Sequence, residues 1–159
     1  MIPRQASETL RRLSRGFPVL AITGPRQSGK TTLARATFTD KPYVSLESPD
    51  TRGFAESDPR AFLAGFPEGA TLDEVQRTPD LFSYLQGVVD EDPRMGRFIL
   101  TGSQQFDLRS RITQSLAGRV GLVHLLPFSQ AELRHTPTPP ADVETALFKG
   151  GYPPLYVRD

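Results

Sequence analysis

The sequence predicts an α/β fold of three layers, a parallel sheet of five strands with helices on both faces. Three observations predict it. First, five apolar or β-prone runs (17–23, 42–46, 69–72, 97–101 and 119–126) alternate with stretches of helical periodicity. Alternation of this kind gives parallel strands, because each crossover helix returns the chain to the same end of the sheet. Second, a glycine-bounded loop, Gly24-Pro25-Arg26-Gln27-Ser28-Gly29-Lys30-Thr31, joins the first strand to a helix-like run. Third, the residues suited to chemistry stand at the carboxyl ends of the strands: this loop, Glu47, Asp73 with Glu74, and Thr101 to Ser103. Open α/β sheets place their ligands at those ends.

The elements follow in order. Residues 3–15 read as a short amphipathic helix, with Ile2, Ala6, Leu10 and Leu13 on one face and Arg4, Arg11 and Arg15 on another. The arginines read first as a solvated face, since charged helix faces are common, and otherwise as a phosphate or partner surface. The first strand and the loop lead into a helix over 31–38, and Asp40-Lys41-Pro42 turns the chain into the second strand, which ends at Glu47. Ser48-Pro49-Asp50 and Ser57-Asp58-Pro59 each place a proline near a helix start, predicting short helices over 51–57 and 60–65. Phe54, Phe62, Leu63 and Phe66 read as core.

The third strand ends in Asp73 and Glu74, and a helix over 79–90 carries the apolar stripe Leu81, Phe82, Leu85, Val88 and Val89. After the fourth strand a helix over 106–117 is stopped by Gly118, and the fifth strand follows. Ser129 starts a further short helix, Thr136-Pro137-Thr138-Pro139-Pro140 reads as a linker or exposed loop, and Asp142 caps a helix ending at Lys149. Gly150 to Pro154 read as a turn. The expected division is a core over 1–135 and a linker with the start of a further region over 136–159.

Composition narrows the classes. A chain of 159 residues suffices for one domain with a real core, and 15 prolines is a high count. A formal net charge of +1 gives no electrostatic argument for nucleic acid or a membrane surface. The absence of cysteine excludes disulfides and thiolate metal sites and fits a reducing compartment. No apolar run is long enough to span a bilayer and the first residues lack a signal-peptide apolar region, so the expected location is cytoplasmic. His124, in an apolar strand, and His135, in a polar loop, have no partner motif for a metal.

The loop fits the phosphate-binding pattern G-x-x-x-x-G-K-[ST]. Its backbone N–H groups can cradle phosphate oxygens, Lys30 can reach the β- and γ-phosphates, and the Thr31 hydroxyl can ligate Mg²⁺. The helix behind it adds its positive end. Gly24, Pro25, Arg26, Gln27, Ser28, Gly29, Lys30, Thr31 and Thr32 are therefore the candidate nucleotide contacts. A glycine turn that happens to precede Lys-Thr is the alternative, and the strand–loop–helix setting favours phosphate. Asp73 at a strand end suits Mg²⁺, usually through water, and the neighbouring Glu74 suits activation of the attacking water. A surface Asp-Glu pair is the alternative. Gly102-Ser103-Gln104-Gln105 would lie beside a terminal phosphate, or form a plain turn with hydroxyl caps.

Five blocks together, Gly24-Pro-Arg-Gln-Ser-Gly-Lys-Thr-Thr-Leu33, Leu72-Asp-Glu-Val-Gln-Arg-Thr-Pro79, Ile99-Leu-Thr-Gly-Ser103, Ser115-Leu-Ala-Gly-Arg119 and Leu125-Leu-Pro-Phe-Ser129, resemble the AAA-type ATPase domain of a widespread prokaryotic family. Members of that family pair this P-loop domain with a C-terminal domain of unknown function. The resemblance implies an AAA-like sheet in which one strand separates the acidic strand from the phosphate-loop strand. It implies ATP at Gly24 to Thr31, Asp73 at Mg²⁺, Glu74 as the water-activating base, and Ser103, or else Thr101, as the polar sensor of the terminal phosphate. Arg119 matches the position of an arginine finger that acts on a neighbour's nucleotide in a homo-oligomer, with a structural ion pair as the alternative. Gly150-Gly-Tyr-Pro153 resembles the junction before the C-terminal domain, and the chain stops there, so a fragment of a longer protein is expected.

Three functions follow as expectations. The first is an Mg²⁺-dependent ATPase serving as motor or switch for an attached domain. The second is a small P-loop phosphotransferase, for which no substrate pocket or basic lid is evident. The third is a nucleotide-binding interaction module without useful turnover.

Overall fold

In the computed structural model, which describes residues 2–103, 110, 112 and 114–157, the sheet is built around its phosphate-loop strand. The strands are β1 (Val19–Gly24), β2 (Tyr43–Ser45), β3 (Thr71–Asp73), β4 (Phe98–Ser103) and β5 (Val120–His124). All pair in parallel in the order β2-β3-β4-β1-β5. The interior strand β1, between β4 and β5, is buried along its whole length, as a parallel strand covered on both faces has to be. One strand, β4, separates β1 from the acid-bearing β3, as the resemblance implies.

Alternation along β1 separates the two faces of the sheet. Val19 and Ala21 join a core with Leu72, Phe98 and Leu100, covered by α3 (Pro49–Ser57), α4 (Pro59–Ala64) and α5 (Leu81–Glu91) through Ala55, Phe62, Leu63, Phe82 and Leu85. Leu20 and Ile22 join a second core with Ile99, covered by α1 (Ala6–Leu13) and α2 (Lys30–Thr37) through Leu10, Leu33 and Ala34. These are the three predicted layers.

Local chemistry accounts for the helix boundaries. Pro49 and Pro59 open α3 and α4, where a missing N–H costs nothing, and the Asp58 side chain accepts from the Ala61 N–H at 3.0 Å. Ser129 and Glu132 form a reciprocal capping box on α6 (Gln130–Leu133), and Asp142 accepts from the Thr145 N–H at 2.7 Å to cap α7 (Val143–Lys149). That amide hydrogen bond holds the Asp142 carboxyl below the usual carboxylate range.

Three details differ from the sequence expectation. Phe54 is half exposed, its ring edge-on to Phe62 rather than inside the core. A 3₁₀ turn, Val75–Arg77, precedes α5, and a last turn of helix, α8 (Pro154–Val157), follows the glycine turn. Tyr156 of α8 is buried against Phe128 and donates to the Gly150 carbonyl, so the chain beyond Thr136 packs back on the body. Half of the predicted helix over 106–117, and the Gln104-Gln105 tip, lie outside the described residues; Ser110, Ile112, Gln114 and Ser115 are helical.

Arg4 departs furthest from expectation. Arg11 and Arg15 are solvated, but the Arg4 guanidinium is buried in an ion pair with Glu132 at 3.1 Å. It also donates to the Ser28 carbonyl at 2.9 Å and the Leu126 carbonyl at 2.7 Å, and stacks over Phe128. One side chain thus ties the N-terminal segment, the glycine-bounded loop and the chain after β5. Removing one member of a buried ion pair strands the other charge. Arg4→Ala is expected to lower unfolding stability by about 3–5 kcal/mol, read by denaturant titration. An unchanged midpoint would show that the pair contributes nothing.

Candidate functional site

The glycine-bounded loop leaves the carboxyl end of β1 and enters α2 directly. Gly24 is required by a neighbouring backbone: its φ is +149°, and a Cβ there would lie 2.1 Å from the Leu125 carbonyl oxygen. Gly29 is required by conformation, since its φ of +91° is in the left-handed region while the space around it is open enough for a methyl group. Between them the Ser28 N–H turns back to the Pro25 carbonyl. No side chain caps the start of α2, and its first turn holds no acidic residue. The first-turn amides of that helix therefore present partial positive charge without a protein anion of their own. This is the arrangement an oxyanion fits.

Lys30 adds the full charge. It is buried and donates to the Pro25 carbonyl at 2.7 Å. Burial lowers the pKa of its ammonium, against the pull of Glu74 and Asp73, so an added anion beside it would relieve an unfavourable desolvation. Arg26, Gln27, Thr31, Thr32 and Glu74 line the same cleft of about 1140 Å³, which extends past the N-terminal segment towards Pro153 and Tyr156.

Asp73 lies behind Thr31. It is buried, and three hydroxyls donate to it: Thr31 to Oδ1 at 2.8 Å, Thr101 also to Oδ1, and Tyr43 to Oδ2 at 2.8 Å. The parallel register β2–β3–β4 brings these groups together at one end of the sheet. Burial, and then the bond to Asp73, raise the pKa of Tyr43, whose ring lies under the Arg35 guanidinium at 4.7 Å. After donating its hydrogen, the Thr31 hydroxyl keeps lone pairs for a cation. Among the described residues no group of three or more His, Cys, Asp or Glu could hold a metal by itself. A hydroxyl beside one carboxylate instead suits Mg²⁺, which takes few protein oxygens and completes its shell with water and phosphate.

Glu74 follows at a φ of +57°, a conformation rare outside glycine. Its carboxylate accepts from the Gln76 side-chain amide, which also donates to Ser103 Oγ at 3.1 Å at the end of β4. Glu47 is exposed at the rim, paired with Arg77 at 3.3 Å. Lys30, Thr31, Asp73, Glu74, Thr101 and Ser103 therefore converge on one end of the sheet.

Arg119 does not join them. The Val19 N–H donates to its carbonyl at 3.1 Å, which places Arg119 beside the first residue of β1. The loop begins at the other end of that strand, about 17 Å away at the usual rise per residue. Its guanidinium grips Asp90 with two N–H groups, one at 2.9 Å, and holds the Asp90 carboxyl below its usual range. His124 lies 3.3 Å from Thr23 Oγ1 and is a structural neighbour of the strand.

Sequence reasoning missed Tyr43, Gln76 and Arg4. Gln76 alone had a local signal, a polar residue two places after the acid pair. The other two contacts depend on which strand and which distant segment lie alongside.

Residues 16–134 match the family described as AAA domain. Uncharacterised proteins of Mycobacterium tuberculosis and Mycobacterium bovis are each 38% identical to the chain over 154 residues, which is 96% of this chain. The chain spans 34% of the length of those curated relatives. Among solved structures, the Walker-type ATPase PABY2304 of Pyrococcus abyssi superposes with a TM-score of 0.58 at 19% identity, over 84% of this chain and 57% of that one. A signal-transduction ATPase with numerous domains from Pyrococcus horikoshii gives 0.60 at 16% identity, over 96% of this chain and 28% of that one. Domain III of the Thermotoga maritima replication initiation protein DnaA gives 0.55 at 15% identity, over 84% and 68%. At such identities the likeness is one of fold, an α/β P-loop ATPase fold.

Proposed function

The chain belongs to the AAA domain family that its residues 16–134 match, and from that premise we propose that it binds ATP with Mg²⁺ and hydrolyses it to ADP and phosphate. The observation that carries this reading is the convergence at one end of the sheet of an uncapped helix start, a desolvated lysine and a hydroxyl-bound carboxylate, with Lys30, Thr31 and Glu74 lining the cleft and Asp73 held behind Thr31.

In this reading backbone N–H groups of the loop from Gly24 to Thr31, of which Pro25 has none, and the Lys30 ammonium hold the phosphate oxygens. Thr31 would supply a lone pair of its hydroxyl oxygen to Mg²⁺ while its O–H continues to donate to Asp73. When bound, Mg²⁺ offsets the charge of the phosphates. Glu74 accepts the proton of the attacking water, and Ser103, with Thr101 behind it, faces the terminal phosphate. The Tyr43 hydroxyl fixes the second oxygen of Asp73. Tyr43→Phe is expected to raise the Mg²⁺ concentration needed for half-maximal turnover several-fold at saturating ATP, as measured by Mg²⁺ titration; an unchanged titration would remove Tyr43 from the metal side of the site.

Arg119, turned away from its own cleft, fits action on the nucleotide of a second copy, for which its grip on Asp90 has to be exchanged. Its place also supports a second reading, a chain that binds nucleotide but turns over little when alone. The rate per subunit is expected to rise with protein concentration, and Arg119→Ala to abolish that rise without changing ATP affinity. A concentration-independent rate, equal in the variant, would make the Asp90 pair the whole role of Arg119. Because its relatives are about three times as long, we assign this chain the part of an energy-coupling or switch module within such longer proteins. Location in the cytoplasm fits that part, and no helix among the described residues is long and apolar enough to cross a membrane.

A further inference from the structure

We infer that Gln76 is a positioning residue that couples the phosphate-facing hydroxyl of Ser103 to the carboxylate of Glu74, an inference that rests on Glu74 acting as the base. Gln76 sits in the 3₁₀ turn immediately after the acid pair, half-buried beneath the cleft. Its Nε2 donates both to Glu74 Oε2 and to Ser103 Oγ at 3.1 Å. A primary amide has two hydrogens, and these two partners use both.

The opposite amide orientation is excluded by charge. It would set the carbonyl oxygen Oε1 against the Glu74 carboxylate, acceptor against acceptor. In the observed orientation Oε1 is instead buried with no hydrogen-bond partner. A buried acceptor left without a donor is unfavourable. The turn tolerates it because the two bonds at Nε2 hold the amide in place. Glu74 is likewise held at a φ of +57°, away from the conformations its side chain prefers. An unpaired acceptor and a left-handed glutamate within three residues mark a segment shaped for position rather than for stability.

Two consequences follow. Gln76 occupies one carboxylate oxygen of Glu74, so the other oxygen is the one left to take the proton of a water in the cleft. Ser103 accepts from Gln76, so its own O–H remains available to donate, and a terminal phosphate oxygen is the acceptor that suits it. The base and the phosphate contact are then registered to each other through one amide, although they belong to different strands. A change at Ser103 on loss of the terminal phosphate is transmitted to Glu74 without movement of either strand.

The test uses the full chain, with Gln76→Leu, which keeps shape and removes both bonds, and Gln76→Glu, which puts a like charge against Glu74. Both are expected to lower kcat by about 10- to 100-fold, the effect of misplacing a catalytic group, and to leave ATP affinity within about 3-fold. In a Glu74→Gln background, Gln76→Leu is expected to add less than about 3-fold, since the residue it positions is already gone. Equal losses in both backgrounds, an unchanged kcat, or a parallel loss of affinity would overturn the inference. A second readout is independent of turnover: the side-chain amide resonances of Gln76 in the ¹⁵N-labelled protein. They are expected to shift in Glu74→Ala, in Ser103→Ala and on addition of ATP. Resonances at the position of a solvated glutamine, unmoved by either substitution, would overturn the coupling even where the wild-type chain does not hydrolyse ATP; absent hydrolysis with the expected shifts would overturn only the ATPase reading.

Discussion

Lys30→Ala is expected to weaken ATP binding by about 10- to 150-fold, the loss of one hydrogen bond to a charged group at about 1.5–3 kcal/mol. The fold itself is expected to tolerate the change. Burial already disfavours the Lys30 ammonium, whose only hydrogen bond among the described residues is to the carbonyl of Pro25 within the same loop. The sign of the pH dependence follows from the same burial. A lysine whose pKa is depressed loses its proton at lower pH than a free lysine, so its phosphate-holding charge disappears as pH rises into the alkaline range. ATP affinity of the wild-type chain is expected to fall there, with proton uptake on binding, because phosphate favours the charged form. The variant is expected to lack both effects. Titration calorimetry across alkaline pH checks this, and equal affinities for wild type and variant would remove the loop from nucleotide binding.

Glu74→Gln is expected to keep ATP affinity and lower turnover by about 10²- to 10⁴-fold, the range for removal of a general base. The substitution keeps the length and hydrogen-bonding shape of the side chain but replaces a proton acceptor by a neutral amide. It also sets one amide beside another, Gln76, so local rearrangement accompanies the loss. Binding and single-turnover hydrolysis measured on the same preparation separate the two effects. Equal loss of both would mean that Glu74 shapes the cleft rather than the chemistry.

Most of the fold was legible because its signals are local. A buried parallel strand is a continuous apolar run, and Val19 to Ile22 is one. The loop carries its chemistry in its own residue types, and Asp73, Glu74 and Ser103 announce themselves by following apolar runs. Contacts between distant segments were not legible. Arg4 reads as one more solvated arginine until Glu132, 128 residues later, is brought beside it. Tyr43 reads as a β-prone aromatic until the register of β2 against β3 puts its hydroxyl on Asp73. Phe54 was misplaced because apolarity predicts burial only where the helix face turns inward, and at Phe54 it faces partly outward. At Gly24 the group that leaves no room for a side chain is the Leu125 backbone, a neighbour from a distant part of the chain. Residues that act through local backbone geometry can be read from order alone, and residues that act through a partner chosen by topology cannot.

Release of inorganic phosphate from ATP by the wild-type chain, in Mg²⁺ and then in excess chelator, with no phosphate acceptor added and Glu74→Gln alongside, decides the proposed activity. Phosphate and ADP in equal amounts are expected, dependent on Mg²⁺ and on Glu74. Phosphate release only when an acceptor is supplied, or none from a chain that binds ATP at every protein concentration, would contradict an ATP-hydrolysing site.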